Sequence, residues 1–347
     1  MTIRLINVAV LLLLLLSQGL FAADKIRIGY SGLSAGTAML WATHEGRLFE
    51  KNGLDPDVLF LRNTLGQSAM IAGEIEMCSY SASLLAPARV QGADVVMIVS
   101  FQQKLNYRLV VRPEIRTIAD LRGKVLGVTR YGTVNDSTMR LLLNKLGVNP
   151  ERDVTLIQVG DSAPVVVTSL IAGKTFDGAL LQPPYYNKAV ESGMRVFANM
   201  EDMDIPFQQV GLNTTQRYIA KSPDMVRRVV KSIVEGVQLI RTHPERAKRA
   251  IGRYMQIKDE KVLEESYQQL KATSEIKPYP SVEGFKTILG ELAKKLPAAR
   301  TANPRDFMDI RFIQELDKSG YIDGLYRYLR VTSSVLILTH RFVLTPV

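Results

Sequence analysis

The chemistry that residue type and spacing pick out in this chain lies in four short loops. Ser31-Gly32-Leu33-Ser34-Ala35-Gly36-Thr37 combines hydroxyls, which donate or accept, with glycines that let backbone approach a bound molecule. Tyr80-Ser81-Ala82-Ser83 is a second hydroxyl-bearing turn. Arg130-Tyr131-Gly132-Thr133-Val134-Asn135-Asp136 adds a planar guanidinium fork suited to a carboxylate or sulfonate, with an aromatic wall beside it. Gln182-Pro183-Pro184-Tyr185 offers an amide on a stiff turn. The candidate binding residues are therefore Ser31, Gly32, Ser34, Thr37, Tyr80, Ser81, Ala82, Arg130, Tyr131, Gly132, Thr133, Asn135, Gln182 and Pro183, with Trp41 just beyond the first loop. Each has a plainer competing role: the serines as helix caps, Arg130 as a solvated charge, the prolines as turn formers, Trp41 as core. Apart from Asp136 and Asp161 these loops hold almost no acids, so the ligand they favour is an anion.

Catalytic arrangements find little support. His44, His243 and His340 are the only histidines, and no His/Cys/Asp/Glu grouping has metal-ligand spacing. There is no Gly-x-Ser-x-Gly elbow and no phosphate-binding P-loop, and the glycines of the first loop do not match the dinucleotide fingerprint. The single cysteine, Cys78, lies in an apolar run and reads as a small core residue. No enzymatic activity, cofactor or metal is expected.

The elements that must position these loops alternate. Ile26 to Tyr30 reads as a strand, Thr37 to Glu50 as a helix ending at Asn52-Gly53, Val58 to Leu61 as a strand, Gly66 to Ala72 as a helix, and Ile75 to Tyr80 as a strand. The series recurs: strand Lys124 to Thr129, helix Asp136 to Leu146, strand Val154 to Val159, helix Ala163 to Ala172, strand Phe176 to Leu181. Ile71-Ala72-Gly73 and Ile171-Ala172-Gly173 close corresponding helices, which predicts one α/β unit used twice. Each candidate loop then falls at the carboxyl end of a strand, where parallel sheets bind ligands and helix N-termini offer unpaired N–H groups.

Beyond Glu201 the pattern turns helical, with starts at Ser222-Pro223-Asp224, Thr242-His243-Pro244-Glu245 and Ser281-Val282-Glu283, and one returning strand within Pro206 to Asn213. The expected division is a signal over residues 1–23, a discontinuous first lobe over 24–103 and 204–330, a second lobe over 104–203, and a tail of unassigned role over 331–347. The chain would cross between lobes near Ser100 to Tyr107 and again near Met200 to Val210, which makes a hinge.

Arg4, the apolar run Val8 to Leu16 and the small residues to Ala23 read as a secretory signal, cleaved after Ala22 or Ala23; the competing reading, a membrane anchor, is disfavoured by so short an apolar stretch. A formal charge of +10 admits nucleic acid, anionic membrane or acidic ligands as partners, but the cations are scattered and no nucleic-acid motif accompanies them. One cysteine leaves no disulfide framework. The mature chain is expected to be a monomer in a bacterial periplasm.

Three segments carry a family resemblance. Trp41-Ala42-Thr43-His44-Glu45-Gly46-Arg47-Leu48-Phe49-Glu50-Lys51-Asn52-Gly53-Leu54, Ile118-Ala119-Asp120-Leu121-Arg122-Gly123-Lys124, and Ile171-Ala172-Gly173 with Asp177-Gly178-Ala179 resemble segments of the nitrate/sulfonate/taurine-type periplasmic substrate-binding proteins of ABC transporters. The likeness runs from about Lys25 to about Arg327. It implies a type II periplasmic-binding α/β fold of two lobes, each a mainly parallel sheet flanked by helices, joined by a two-stranded hinge. It further implies a small-molecule ligand held between the lobes, and ABC permease and ATPase subunits as partners. The same superfamily includes thiamine-pyrimidine synthases, which look cysteine-rich near their active site, whereas this chain has one cysteine. An enzyme of cofactor biosynthesis, and a ligand sensor reporting to a membrane kinase, are the alternatives. The resembling motifs are structural, so they leave the ligand open among nitrate, sulfonates, aromatic acids and pyrimidines.

Overall fold

The computed structural model describes residues 23–33, 35–61, 64–160, 163–173, 175–183 and 185–327. The expected signal up to Ala22, Ser34, Asp161, Pro184 and the 331–347 tail therefore lie outside the described residues. The chain runs β1 (Asp24–Tyr30), α1 (Ala38–Glu45), α2 (Leu48–Lys51), β2 (Leu54–Phe60), α3 (Leu65–Ala72), β3 (Met77–Ser81), α4 (Ala82–Val90) and β4 (Val95–Gln102). It continues through β5 (Arg108–Val111), α5 (Ile118–Leu121), β6 (Val125–Val128), α6 (Val134–Lys145), β7 (Thr155–Gln158), α7 (Ala163–Ala172), β8 (Gly178–Leu181), α8 (Tyr185–Glu191) and β9 (Arg195–Asn199). Last come β10 (Val210–Thr215), α9 (Gln216–Lys221), α10 (Pro223–Thr242), α11 (Pro244–Met255), α12 (Glu260–Thr273), α13 (Val282–Leu292), α14 (Arg311–Lys318) and α15 (Tyr321–Gly324).

Two five-stranded sheets result, ordered β2-β1-β3-β10-β4 and β7-β6-β8-β5-β9. In the first, β1 lies parallel to β2 and β3, while β10 runs antiparallel to β3 and β4. In the second, β6 lies parallel to β7 and β8, while β5 runs antiparallel to β8 and β9. The sheets are thus mixed, and by the same rule: the one reversed strand in each is the strand that has just arrived from the other sheet. The chain passes from β4 to β5 over residues 103–107 and from β9 to β10 over residues 200–209. The paired helix ends have a common cause as well. Gly73 and Gly173 sit at φ +82° and +81°, a left-handed cap that a Cβ would disfavour.

Burial follows the alternation in β1, where Ile26 and Ile28 are buried between the outward-facing Lys25 and Arg27. The outer side of the first sheet packs under α1, α10 and α11. The motif glycine Gly46 matters here, because a Cβ would stand 2.7 Å from Leu239 Cδ1 and 2.8 Å from the Ala42 carbonyl oxygen. The helix expected over Thr37 to Glu50 is two helices. Arg47 adopts φ 54°, which breaks the run between α1 and α2 and lets Phe49 bury separately. A second core is shared by both sheets and includes Leu105 and Tyr107 from one crossing and Met200 and Phe207 from the other. The crossings are therefore packed, not bare linkers. Among the described residues no helix is long and apolar enough to cross a membrane.

Candidate ligand-binding cleft

The carboxyl ends of strands from both sheets face one cavity of about 640 Å³. From the first sheet come Ser31 and Gly32 after β1, Phe60 closing β2, and Ser79, Tyr80 and Ser81 on β3. From the second come Thr129 to Asn135 after β6, Gln158 closing β7, Leu181 closing β8, and Gln182 and Pro183 after it. The four loops singled out from sequence, eighty and more residues apart along the chain in places, thus line a single space. Thr37 lines it too. Trp41 and Ala82 do not. Trp41 is fully buried under the first sheet, stacked on Tyr254 at 5.1 Å and edge-on to Tyr30 at 5.7 Å. Ala82 is fully buried as the first residue of α4.

Hydrogen bonds fix the second-sheet wall. Asn135 accepts from the Thr129 N–H at 3.1 Å and donates to the Leu180 carbonyl at 2.9 Å, tying β6, α6 and β8 together. Thr133 stands at the N-cap of α6, but its hydroxyl donates to the Arg130 carbonyl at 2.7 Å and caps no helical N–H. The first-turn amides of α6 accordingly keep their positive end without that cap. Tyr131 donates its N–H to Gln158 Oε1 at 2.9 Å and its hydroxyl to the Leu156 carbonyl at 2.8 Å. Asp136 faces away from the cavity: it accepts from the Gly132 N–H at 2.9 Å and pairs with Arg140 at 2.8 Å. On the first sheet, Ser81 caps α4 by accepting from the Leu84 N–H at 3.3 Å, which leaves its own proton to donate.

Arg130 is the one charged side chain among the described residues that line the cavity. The rest of the polar lining is hydroxyl and amide. Burial raises the pKa of Tyr80, Tyr107 and Tyr185, so these lining phenols are neutral donors at physiological pH.

Sequence reasoning passed over several lining residues. Phe60 and Gln158 end strands β2 and β7 and obey the same carboxyl-end rule, so they were within reach. Tyr107 and Gln209 lie on the two crossings. Their neighbours form a buried amide chain in which Gln102 donates to Asn106 Oδ1 at 3.0 Å, Gln182 donates to the same oxygen, and Gln209 donates to the Lys104 carbonyl at 3.0 Å. Met255, Ser266 and Gln269 reach the cavity from α11 and α12. Nothing local in the sequence marks them, because only the tertiary path of the C-terminal helices brings them there. Helices α8 and α12 also touch directly, where Asn187 on α8 donates to Glu265 on α12 at 3.0 Å and Lys261 stands 3.8 Å from Glu191.

Among the described residues no histidine lines the cavity, and no group of three or more His, Cys, Asp or Glu could hold a metal ion. Cys78 is fully buried in β3, and burial pushes its thiol pKa up to about 12. It should therefore resist Ellman's reagent in the native state at pH 8 and react fully once the protein is unfolded in guanidinium. Fast labelling of the native protein would contradict that burial.

A family described as NMT1/THI5 like matches residues 35–247. A Brucella abortus (strain 2308) protein provisionally named as a binding protein is 28% identical over 262 residues, covering 73% of this chain and 79% of that protein. A Bordetella bronchiseptica RB50 protein of known structure superimposes with TM-score 0.72 at 18% identity, covering 87% of this chain and 99% of its own. The periplasmic aliphatic sulphonate binding protein SsuA of Escherichia coli superimposes with TM-score 0.66 at 19% identity, covering 82% of this chain and 92% of its own. These likenesses establish the periplasmic-binding-protein fold.

Proposed function

Because this chain belongs to the NMT1/THI5-like family, we propose that it is the extracytoplasmic solute-binding subunit of an ABC importer, and that it captures a small anion between its two sheets for delivery to a membrane permease and ATPase. The observation that carries this reading is the cleft itself. Strand ends from both sheets converge on it, and among the described residues that line it Arg130 is the one charged side chain. The hydroxyl of Ser81 and the amide of Gln182 line the same cavity, and a charged acceptor strengthens each bond they donate. The description of the Escherichia coli neighbour as a periplasmic sulphonate-binding protein supports the same class of role. The candidate loop residues that line the cavity act, in this reading, as the ligand contacts.

The division into lobes at residues 103–104 and 203–204 gives the site its means of closing. The Lys261–Glu191 pair is solvent-exposed on both sides, and such pairs are weak and screened by salt. That pair alone holds α8 to α12 only weakly. A bound anion that bridges both sheets adds what the pair lacks. Small-angle scattering should accordingly show a smaller radius of gyration at saturating ligand than without it. An unchanged radius would mean a rigid site.

A thermal-shift screen over anions and neutral solutes supplies the ligand, since binding to the native state alone raises the melting temperature. Mass spectrometry after prolonged incubation should then recover that ligand unaltered. Conversion to a product would replace the receptor reading with an enzyme.

A further inference from the structure

We infer that the cleft takes an organic anion with a flat, mostly apolar body and a hydrogen-bond donor at its far end, in preference to an inorganic or short alkyl anion. This rests on the anion reading above and narrows it.

Size comes first. A cavity of about 640 Å³ lies within the range of sites that enclose drug-sized organic ligands, and a nitrate or sulfate ion would fill little of it.

The walls come next. Phe60, Tyr80, Tyr107, Tyr131 and Tyr185 all line the cavity. Two of them, Phe60 at 42% and Tyr131 at 51%, are exposed, and they come from opposite sheets. Neither ring is loose. Phe60 rests against Tyr30 with centroids 5.3 Å apart, and Tyr131 is anchored by its hydroxyl and its backbone N–H. A ring held rigidly while half of it faces water is a ready stacking surface that loses little entropy on binding.

The third observation concerns two polar atoms. Ser79 and Gln269 line the cavity, and Ser79 Oγ and Gln269 Oε1 are buried with no hydrogen-bond partner; the two residues are 1% and 9% exposed. Both belong to the half built on the first sheet, opposite Arg130. A carbonyl oxygen can only accept, so the molecule that occupies the cleft must bring an N–H or O–H to it. A ligand without that donor would leave the Gln269 oxygen unsatisfied.

Calorimetric titration of a matched set tests this: nitrate, taurine, cyclohexanecarboxylate, benzoate, 4-hydroxybenzoate, benzenesulfonate, 4-hydroxybenzenesulfonate and neutral 4-hydroxybenzamide. The aryl anions should bind more tightly than nitrate, taurine and the cyclohexane acid. The 4-hydroxyl compounds should gain about fivefold to tenfold over their unsubstituted partners, the value of one added hydrogen bond. Gln269→Met, close in shape, should erase that gain. Nitrate or taurine binding at least as tightly as every aryl anion would overturn the inference and leave the anion reading standing. No binding by any aryl compound also overturns it. If 4-hydroxybenzamide matches 4-hydroxybenzoate, the anion reading fails while the flat-body inference survives.

Discussion

Replacing Trp41 by alanine should lower the unfolding free energy by about 3–5 kcal/mol, the usual cost of removing a fully buried large aromatic. The indole is 0% exposed and lies parallel to Tyr254, with an angle of 7° between the rings. Tyr30 meets its edge. Removing it leaves a cavity that the helices α1 and α11 cannot close without moving. Trp41→Phe should cost much less, because the phenyl ring keeps most of the stacking. The phenylalanine also removes an indole N–H that is buried without a partner, a burden of about 1–3 kcal/mol in its own right. Guanidinium unfolding of both variants measures the difference. The ligand affinity of Trp41→Ala, taken well below its midpoint, should stay within about twofold of the parent, a change of roughly 0.4 kcal/mol. A large loss of affinity with little loss of stability would return Trp41 to the binding site.

Arg130→Ala should weaken binding of the anion by about 1.5–3 kcal/mol, or roughly ten- to a hundredfold. Arg130 supplies the one charge among the described lining residues, and an anion buried without it loses its charge-assisted bonds. Ser81→Ala should cost binding on the order of 1 kcal/mol, the worth of one neutral hydrogen bond. It should also cost stability, since the same hydroxyl caps α4. Titration calorimetry separates the cases. Unaltered affinity in the Arg130 variant, or equal losses in both, would defeat the assignment of the anionic head group to this side chain.

The alternation from β1 to β8 was legible because each element carries its own stop. Gly73, Gly147 and Gly173 all sit at positive φ at helix ends, and a run of small or polar residues follows each strand. Arg47 was not legible. An arginine in the left-handed region has no sequence signature, so two helices read as one. The loops of the site were legible for a related reason. Local chemistry at a strand's carboxyl end is written in consecutive residues, as in Ser31-Gly32 or Arg130-Tyr131-Gly132. Ser266 and Gln269 escaped because they face the cleft from mid-helix, three residues apart, where their spacing matches any half-buried helical face. Trp41 was placed near the cleft by adjacency in sequence, yet α1 turns that side chain under the sheet and away from the loop that precedes it.

Diffraction from crystals grown with the strongest anion of the screen tests the central claim most directly. The account predicts difference density for one chemically unaltered anion in the cleft, its charged group within hydrogen-bond reach of the Arg130 guanidinium and its body against Phe60 or Tyr131. Density for the ligand elsewhere on the surface with the cleft left to solvent, or density for a converted product, would contradict it.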